Sequence, residues 1–167
     1  MTGEPQLAAG KVVLRRARGS DLDAVVALQR AAYAVNRPLL GVEPLPLLAD
    51  YTAILRDMEV WVAQEDGGKL AGALILQPHA DHLLLWSIAT DPAAQRSGLG
   101  RALLGATEVR ARQLGLVVVR LYTGTPLRHL IGWYGRQGYS VERIEALSDR
   151  SITHMIKHLA PVAESVP

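Results

Sequence analysis

At 167 residues the chain has the length of one domain able to bury its own core, and 49% apolar with 20% charged residues is ordinary for a globular protein. The absence of cysteine removes disulfides, zinc–thiolate centres and a cysteine acyl-enzyme from consideration. Net charge is only +2, and the eighteen basic residues, all arginine except Lys11, Lys69 and Lys157, are scattered rather than gathered into a stripe, which argues against a nucleic-acid partner.

No apolar run is long enough for a bilayer, so no membrane partner is expected. Met1 to Gly10 lacks the basic flank and apolar stretch of a secretory signal, and a cytoplasmic protein is the expectation. Lys11 to Arg16 is a β-prone run. Ser20-Asp21-Leu22-Asp23 has the form of a capped helix start, and Leu22, Val25, Val26 and Ala32 continue a helical stripe to about Tyr33. Arg37 to Pro46, with three prolines and a glycine, reads as a loop. A second helix is expected over Leu47 to Asp57. Strands follow at Val60 to Gln64 and Lys69 to Gln77, around a turn at Asp66-Gly67-Gly68, and at His82 to Thr90. Ser97 to Leu114 is the clearest helix, apolar on one face, with Glu108 and Arg112 spaced as a favourable pair on the other. Leu116 to Tyr122 is almost continuously apolar, the pattern of a strand buried on both faces. A short helix over Pro126 to Arg136 and strands at Tyr139 to Ile144 and Ser151 to Lys157 complete an α/β (α+β) layer structure. It has about seven strands and about four helices, with no repeat and no linker.

The most informative stretch runs from Leu83 through Asp91-Pro92 to Leu104. A strand ends, a short loop crosses Gln95-Arg96-Ser97-Gly98-Leu99-Gly100, and the long helix begins. Helix N-termini offer unpaired N–H groups and partial positive charge to phosphates. Gly98 and Gly100 leave the backbone open, and Arg96 and Arg101 add charge. The same glycines could simply close a tight turn. The lysine-bearing phosphate loop and the dinucleotide fingerprint both fail here, the latter because Leu103 stands where a third glycine belongs.

Gln95 to Gly100 resembles the Q/R-x-x-G-x-G/A signature of the GNAT acetyltransferase superfamily, placed as in that family between a strand and an amphipathic helix. The resemblance extends to Leu130-Ile131-Gly132-Trp133-Tyr134-Gly135-Arg136-Gln137-Gly138-Tyr139, similar to A-x-x-L-Y-E-K-L-G-F/Y, and to both ends of the chain. It implies a single N-acetyltransferase-like domain over residues 1–167, with acetyl-CoA as acetyl donor and an amine-bearing small molecule or peptide as acceptor. A homodimer is compatible with it. The implied coenzyme A contacts are Ile88, Ala89 and Thr90 along the strand, Gln95, Arg96, Ser97, Gly98, Leu99, Gly100 and Arg101 around the turn, and Tyr134.

A thioester is already activated, so a deprotonated amine can attack it directly, and a strand amide can stabilise the charge that grows on its oxygen. Ile88 N–H is the candidate. Tyr134 is the candidate proton donor to the leaving thiolate; read alone, it could equally be a packing aromatic in line with Leu127, Leu130 and Ile131. The strand carries Ser87 where many relatives place a glutamate base, and His82 is the candidate in its place, although His79, Asp81 and His82 could all be exposed loop residues. Leu127 stands where the family often has asparagine. The loop from Asn36 to Pro46, between Tyr33 and Tyr51, is either an acceptor-specificity loop or a proline-stiffened connection. His129, His154 and His158 lack metal-site spacing, and Trp61, Trp86 and Trp133 are expected in the core. An acyl-CoA-binding sensor of weak activity and a ligand-free interaction domain are the competing readings.

Overall fold

The computed structural model describes residues 6–161. Its strands are β1 (Leu7–Ala9), β2 (Val12–Arg16), β3 (Glu59–Gln64), β4 (Leu70–Pro78), β5 (Leu83–Thr90), β6 (Val118–Gly124), β7 (Ser140–Ala146) and β8 (Ser151–His158). They form one mixed sheet ordered β1-β2-β3-β4-β5-β6-β8-β7, antiparallel throughout except for the parallel β5–β6 pair. The helices are α1 (Leu22–Ala34), α2 (Arg37–Leu40), α3 (Tyr51–Asp57), α4 (Leu99–Gln113) and α5 (Arg128–Arg136). Among the described residues no helix is long and apolar enough to cross a membrane.

Period-2 alternation along β4 sets the two cores. Leu74 and Leu76 join Leu103 and Leu104 of α4 on one face, while Ala73 and Ile75 meet Val25 and Leu28 of α1 and Ile54 of α3 on the other. Gly72 lets α4 settle on the sheet: a Cβ there would stand 3.1 Å from both Leu99 and Leu103.

Several boundaries differ from the sequence expectation for local reasons. An eighth strand, β1, pairs with β2 ahead of the first strand expected. The expected loop contains α2, with Pro38 in its first turn, where a missing N–H costs nothing. The helix expected from Leu47 begins only at Tyr51, because the Asp50 carboxylate accepts from the N–H groups of Thr52 and Ala53. Ser20 and Asp21 form a 3₁₀ turn rather than a helix cap. Asp21 instead accepts from Arg18 N–H at 2.7 Å and from the Arg15 guanidinium at 2.8 and 2.9 Å, and the Arg15 fork holds its pKa at about 2. β6 is not buried on both faces: only Val119 and Leu121 are covered, because α1 packs over β4 and β5 and stops short of it.

One irregularity opens the sheet. Pairing between β4 and β5 runs from Gly72↔Thr90 to Ile75↔Ser87 and then jumps to Leu76↔Leu85, leaving Trp86 as an extra residue. Such a bulge bends its strand and sharpens its twist. Accordingly β5 pairs with β6 only from Leu83 to Leu85, and beyond that point the two strands part.

Candidate active site

The parting exposes main chain. Asp91 N–H donates to Ala71 C=O at 2.8 Å, so these two face each other as a hydrogen-bonded pair. Bonded and non-bonded pairs alternate along an antiparallel ladder, which makes Ala73–Ala89 and Ile75–Ser87 the next bonded pairs. Ile88 and Thr90 therefore turn their N–H and C=O groups away from β4, into the gap left by β6. The Ile88 carbonyl receives the Tyr33 hydroxyl at 3.2 Å. Its N–H faces the same gap.

Beneath this stretch lies a buried polar network. Gln29 of α1, fully buried, donates its amide to the Tyr51 hydroxyl at 2.8 Å and to Ser87 Oγ at 3.1 Å. Ser87 and Tyr33 share a hydrogen bond of 2.7 Å, and the Tyr51 hydroxyl donates to Pro46 C=O at 2.7 Å. Burial pushes the Tyr33 hydroxyl up to about 12, so it remains a donor. The network ties β5 to α1 and to the loop after α2.

The gap continues into a cavity of about 660 Å³. At one end is the turn. Asp91 caps a 3₁₀ turn at Pro92–Ala94 by accepting from Ala93 N–H at 2.8 Å, and the Ser97 hydroxyl donates to Ala94 C=O. Arg96 and Gly98 take positive φ, 69° and 83°, and α4 begins at Leu99. The first ladder bond of α4 runs from Ala102 N–H to Gly98 C=O. The N–H groups of Leu99, Gly100 and Arg101 are thus left over for an anion. A Cβ on Gly98 or Gly100 would meet no protein atom within 4 Å. Only the backbone conformation demands glycine at 98; at 100 the protein leaves space it does not use.

The structure brings Ile88, Thr90, Gln95, Arg96, Gly100 and Tyr134 together on the cavity wall. Ala89 is buried with its side chain toward the α1 core, so only its main chain belongs to the strand's edge. Ser97, Gly98 and Leu99 shape the turn behind the wall, and the exposed Arg101 side chain is not part of it. Tyr134 is half-buried between Trp133 and Tyr139, edge-on to each at 4.9 and 5.9 Å, with no hydrogen-bond partner for its hydroxyl among the described residues. Burial raises its pKa above that of an ordinary phenol and keeps the proton on.

His82 is not brought to the cavity. It precedes β5, at the end opposite the opening, with Nδ1 2.7 Å from Asp81 and 3.3 Å from Arg120 and its ring stacked on His79. Six steps along the strand separate it from Ile88, about 20 Å. That distance removes it as a base acting directly on an amine at Ile88. The imidazole that does line the cavity is His129, at the start of α5. Of the three tryptophans Trp61 is fully buried in the core, between the Arg16 and Arg110 guanidiniums; Trp86 and Trp133 are half-buried, packed against the two cores on one side and lining the cavity on the other.

Asn36, Arg136 and Arg150 complete the wall and were not singled out by motif. The only signal for Asn36 was its place at the head of the proline-rich loop between two tyrosines. Arg150 donates to Glu43 C=O at 2.8 Å and forks onto Asp149, pinning that loop to the turn before β8. On the other side, Leu40 of α2 packs against Gly124, where an added Cβ would make the Leu40 side chain shift. No aspartate or glutamate is part of the wall, and among the described residues no cluster of three histidine or carboxylate side chains could hold a metal.

No curated protein matches the chain. Solved structures share its fold. The ribosomal-protein-S18-alanine N-acetyltransferase of Escherichia coli superposes with a TM-score of 0.71 at 20% identity, over 92% of this chain and 97% of that one. The PaiA N-acetyltransferase of Thermoplasma acidophilum, solved in complex with coenzyme A, gives 0.67 at 18% identity over 87% and 97%. Nourseothricin acetyltransferase gives 0.67 at 21% over 88% and 98%. A family model described as the acetyltransferase (GNAT) family matches residues 22–139, the span that contains the bulge in β5, the turn before α4 and the whole of α5. The chain belongs to the GNAT acetyltransferase family.

Proposed function

We propose that the chain, as one domain over residues 1–167, is an N-acetyltransferase that moves an acetyl group from acetyl-CoA to an amine by direct attack in a ternary complex. The observation that carries this is the main chain of Ile88 and Thr90, freed by the bulge at Trp86 and leading into the unspent N–H groups of α4. The turn from Gln95 to Gly100 holds the diphosphate with its backbone, and Arg96 adds charge. Strand groups of Ile88 and Thr90 take the amide-bearing arm as an added strand would. Acetyl-CoA supplies a thioester already activated toward amines. Ile88 N–H faces the oxygen on which charge grows, and a fixed amide needs no reorganisation there. Tyr134 keeps its proton until the sulfur leaves and donates it to the thiolate, and the proton shed by the new amide nitrogen restores the phenol through solvent.

The absence of a carboxylate from the wall supports a second reading, an acyl-CoA-binding sensor of weak activity. A thiol-release assay with acetyl-CoA over a panel of amines decides between them. Release that depends on an amine supports transfer. Coenzyme A binding without release on any amine supports the sensor. Tyr134→Phe is expected to lower turnover about a hundredfold with coenzyme A affinity unchanged; equal turnover removes Tyr134 from the chemistry.

A further inference from the structure

The acceptor end of the cavity has a chemical character of its own, and it rests on the acetyl-transfer reading above. Its walls are apolar: Leu40, Val42 and Leu45 from the loop face Trp86, Ile88 and Leu127. No carboxylate lines the cavity, and its charged side chains are Arg96 at the turn before α4, Arg136, and Arg150 paired with Asp149. The nearest carboxylates are spent elsewhere, Glu43 in a fork with Arg37 at 2.8 to 3.1 Å and Asp149 in a fork with Arg150 at 3.0 and 3.1 Å. An ammonium placed here would be desolvated beside guanidiniums with no anion to pair with.

Of the residues from 36 to 46 that line the cavity, Asn36 alone carries a polar side chain. Asn36 is 7% exposed, and its backbone is consumed by bonds with Tyr33 and Leu40. Its carboxamide makes no hydrogen bond among the described residues, yet it lines the cavity. An acceptor that covers this amide must offer it a hydrogen-bonding group in place of solvent.

We infer that the acceptor is an amine on a compact apolar body with no second positive charge, and that Asn36 is the specificity-determining residue that bonds a neutral polar group beside that amine. The positive wall also favours the amine in its uncharged, nucleophilic form, which fits a site without a carboxylate base.

Matched acceptors test this with acetyl-CoA in the thiol-release assay. Hexylamine and 1,6-diaminohexane differ in the second charge; phenylalaninamide and phenethylamine differ in a carboxamide. We expect hexylamine to exceed the diamine in kcat/KM by about tenfold or more, as for an unpaired charge in a closed pocket. The ratio of phenylalaninamide to phenethylamine should fall about tenfold in Asn36→Leu relative to the unsubstituted protein. Asn36→Asp, nearly the same shape, should shift selectivity toward the diamine by a similar factor and keeps the question open to test if the leucine variant folds poorly. A diamine preferred by the unsubstituted protein, or an amide preference unchanged in Asn36→Leu, overturns the acceptor class and leaves acetyl transfer standing. No thiol release on any amine takes down both.

Discussion

Gly100→Glu separates a structural glycine from a ligand-facing one, because its two consequences have opposite signs. A side chain at 100 meets open space, and Gly100 is not among the positive-φ residues. Replacing glycine by glutamate within a helix gains about 0.5 kcal/mol in propensity. A carboxylate in the first turn gains about 0.5 kcal/mol more from the helix dipole. The variant should therefore melt about 2 to 4 °C above the unsubstituted protein, for a domain of this size. Against a diphosphate the same carboxylate is repulsive. At 4 Å and an effective dielectric near a surface, one pair of like charges costs about 4 kcal/mol. Screening reduces this, and a loss of about a hundredfold in coenzyme A affinity is a conservative expectation at physiological salt.

The assay is a thermal melt with and without coenzyme A. At a ligand concentration one hundred times Kd, the unsubstituted protein gains about 2.7 kcal/mol, whereas a variant binding a hundredfold more weakly gains about 0.4 kcal/mol. A variant that melts lower without ligand shows that the protein itself needs the space at Gly100. A variant that coenzyme A stabilises as fully as the parent shows that the turn does not hold the phosphates. Gly98 is the poorer site for this experiment. Its φ of 83° would add a strain of about 1 kcal/mol to any substitution and blur the sign.

Gly124→Ala should make the Leu40 side chain of α2 shift at the end of β6, raising KM for the acceptor several-fold with KM for acetyl-CoA unchanged; equal effects on both substrates would show that α2 does not shape the acceptor end alone. Gln29→Leu leaves Tyr51 and Ser87 without their buried donor and should cost about 2 to 3 kcal/mol in urea unfolding; a neutral result would mean that the network adds nothing to stability. Asp21, with a folded pKa of about 2 against 3.8, binds protons less readily when folded. Its contribution is present above about pH 4 and is lost as pH falls toward 2. Asp21→Asn should therefore be less stable than the parent by about 1 kcal/mol at pH 7, with the gap closing below pH 4. A gap independent of pH would refute the pairing with Arg15.

The sheet and both large helices were legible because their signals are local: Leu99, Leu103 and Ala106 repeat with the turn of one helix, and β5 is an unbroken β-prone run of eight residues stopped by Asp91-Pro92. The turn before α4 was legible for the same reason, as glycines at fixed spacing. What escaped depends on relations between distant segments. That Trp86 is an extra residue can be seen only when β5 is laid against β4. His82 was given a role by its nearness in sequence to β5, but a strand has two ends, and only the point where β6 departs tells which of them opens. Asn36 is an unremarkable loop asparagine until Leu40 meets Gly124 and Arg150 meets Glu43, which close the loop over it. The short β1 lay below any useful window, three residues held by pairing with β2 rather than by their own propensity.

Because the donors in the cleft belong to the peptide chain, no point substitution other than proline can delete one. Mutation can move Ile88 N–H only by altering how many residues lie between the two strands' points of agreement, so excision of Trp86 should be far more damaging than its replacement by another large residue. On the proposed reading, every side chain along that edge is free to drift while the hold on the acyl donor persists. A lineage built this way can exchange acceptors by redecorating the opposite wall, and its members can come to share little beyond the spacing of a fault in a sheet.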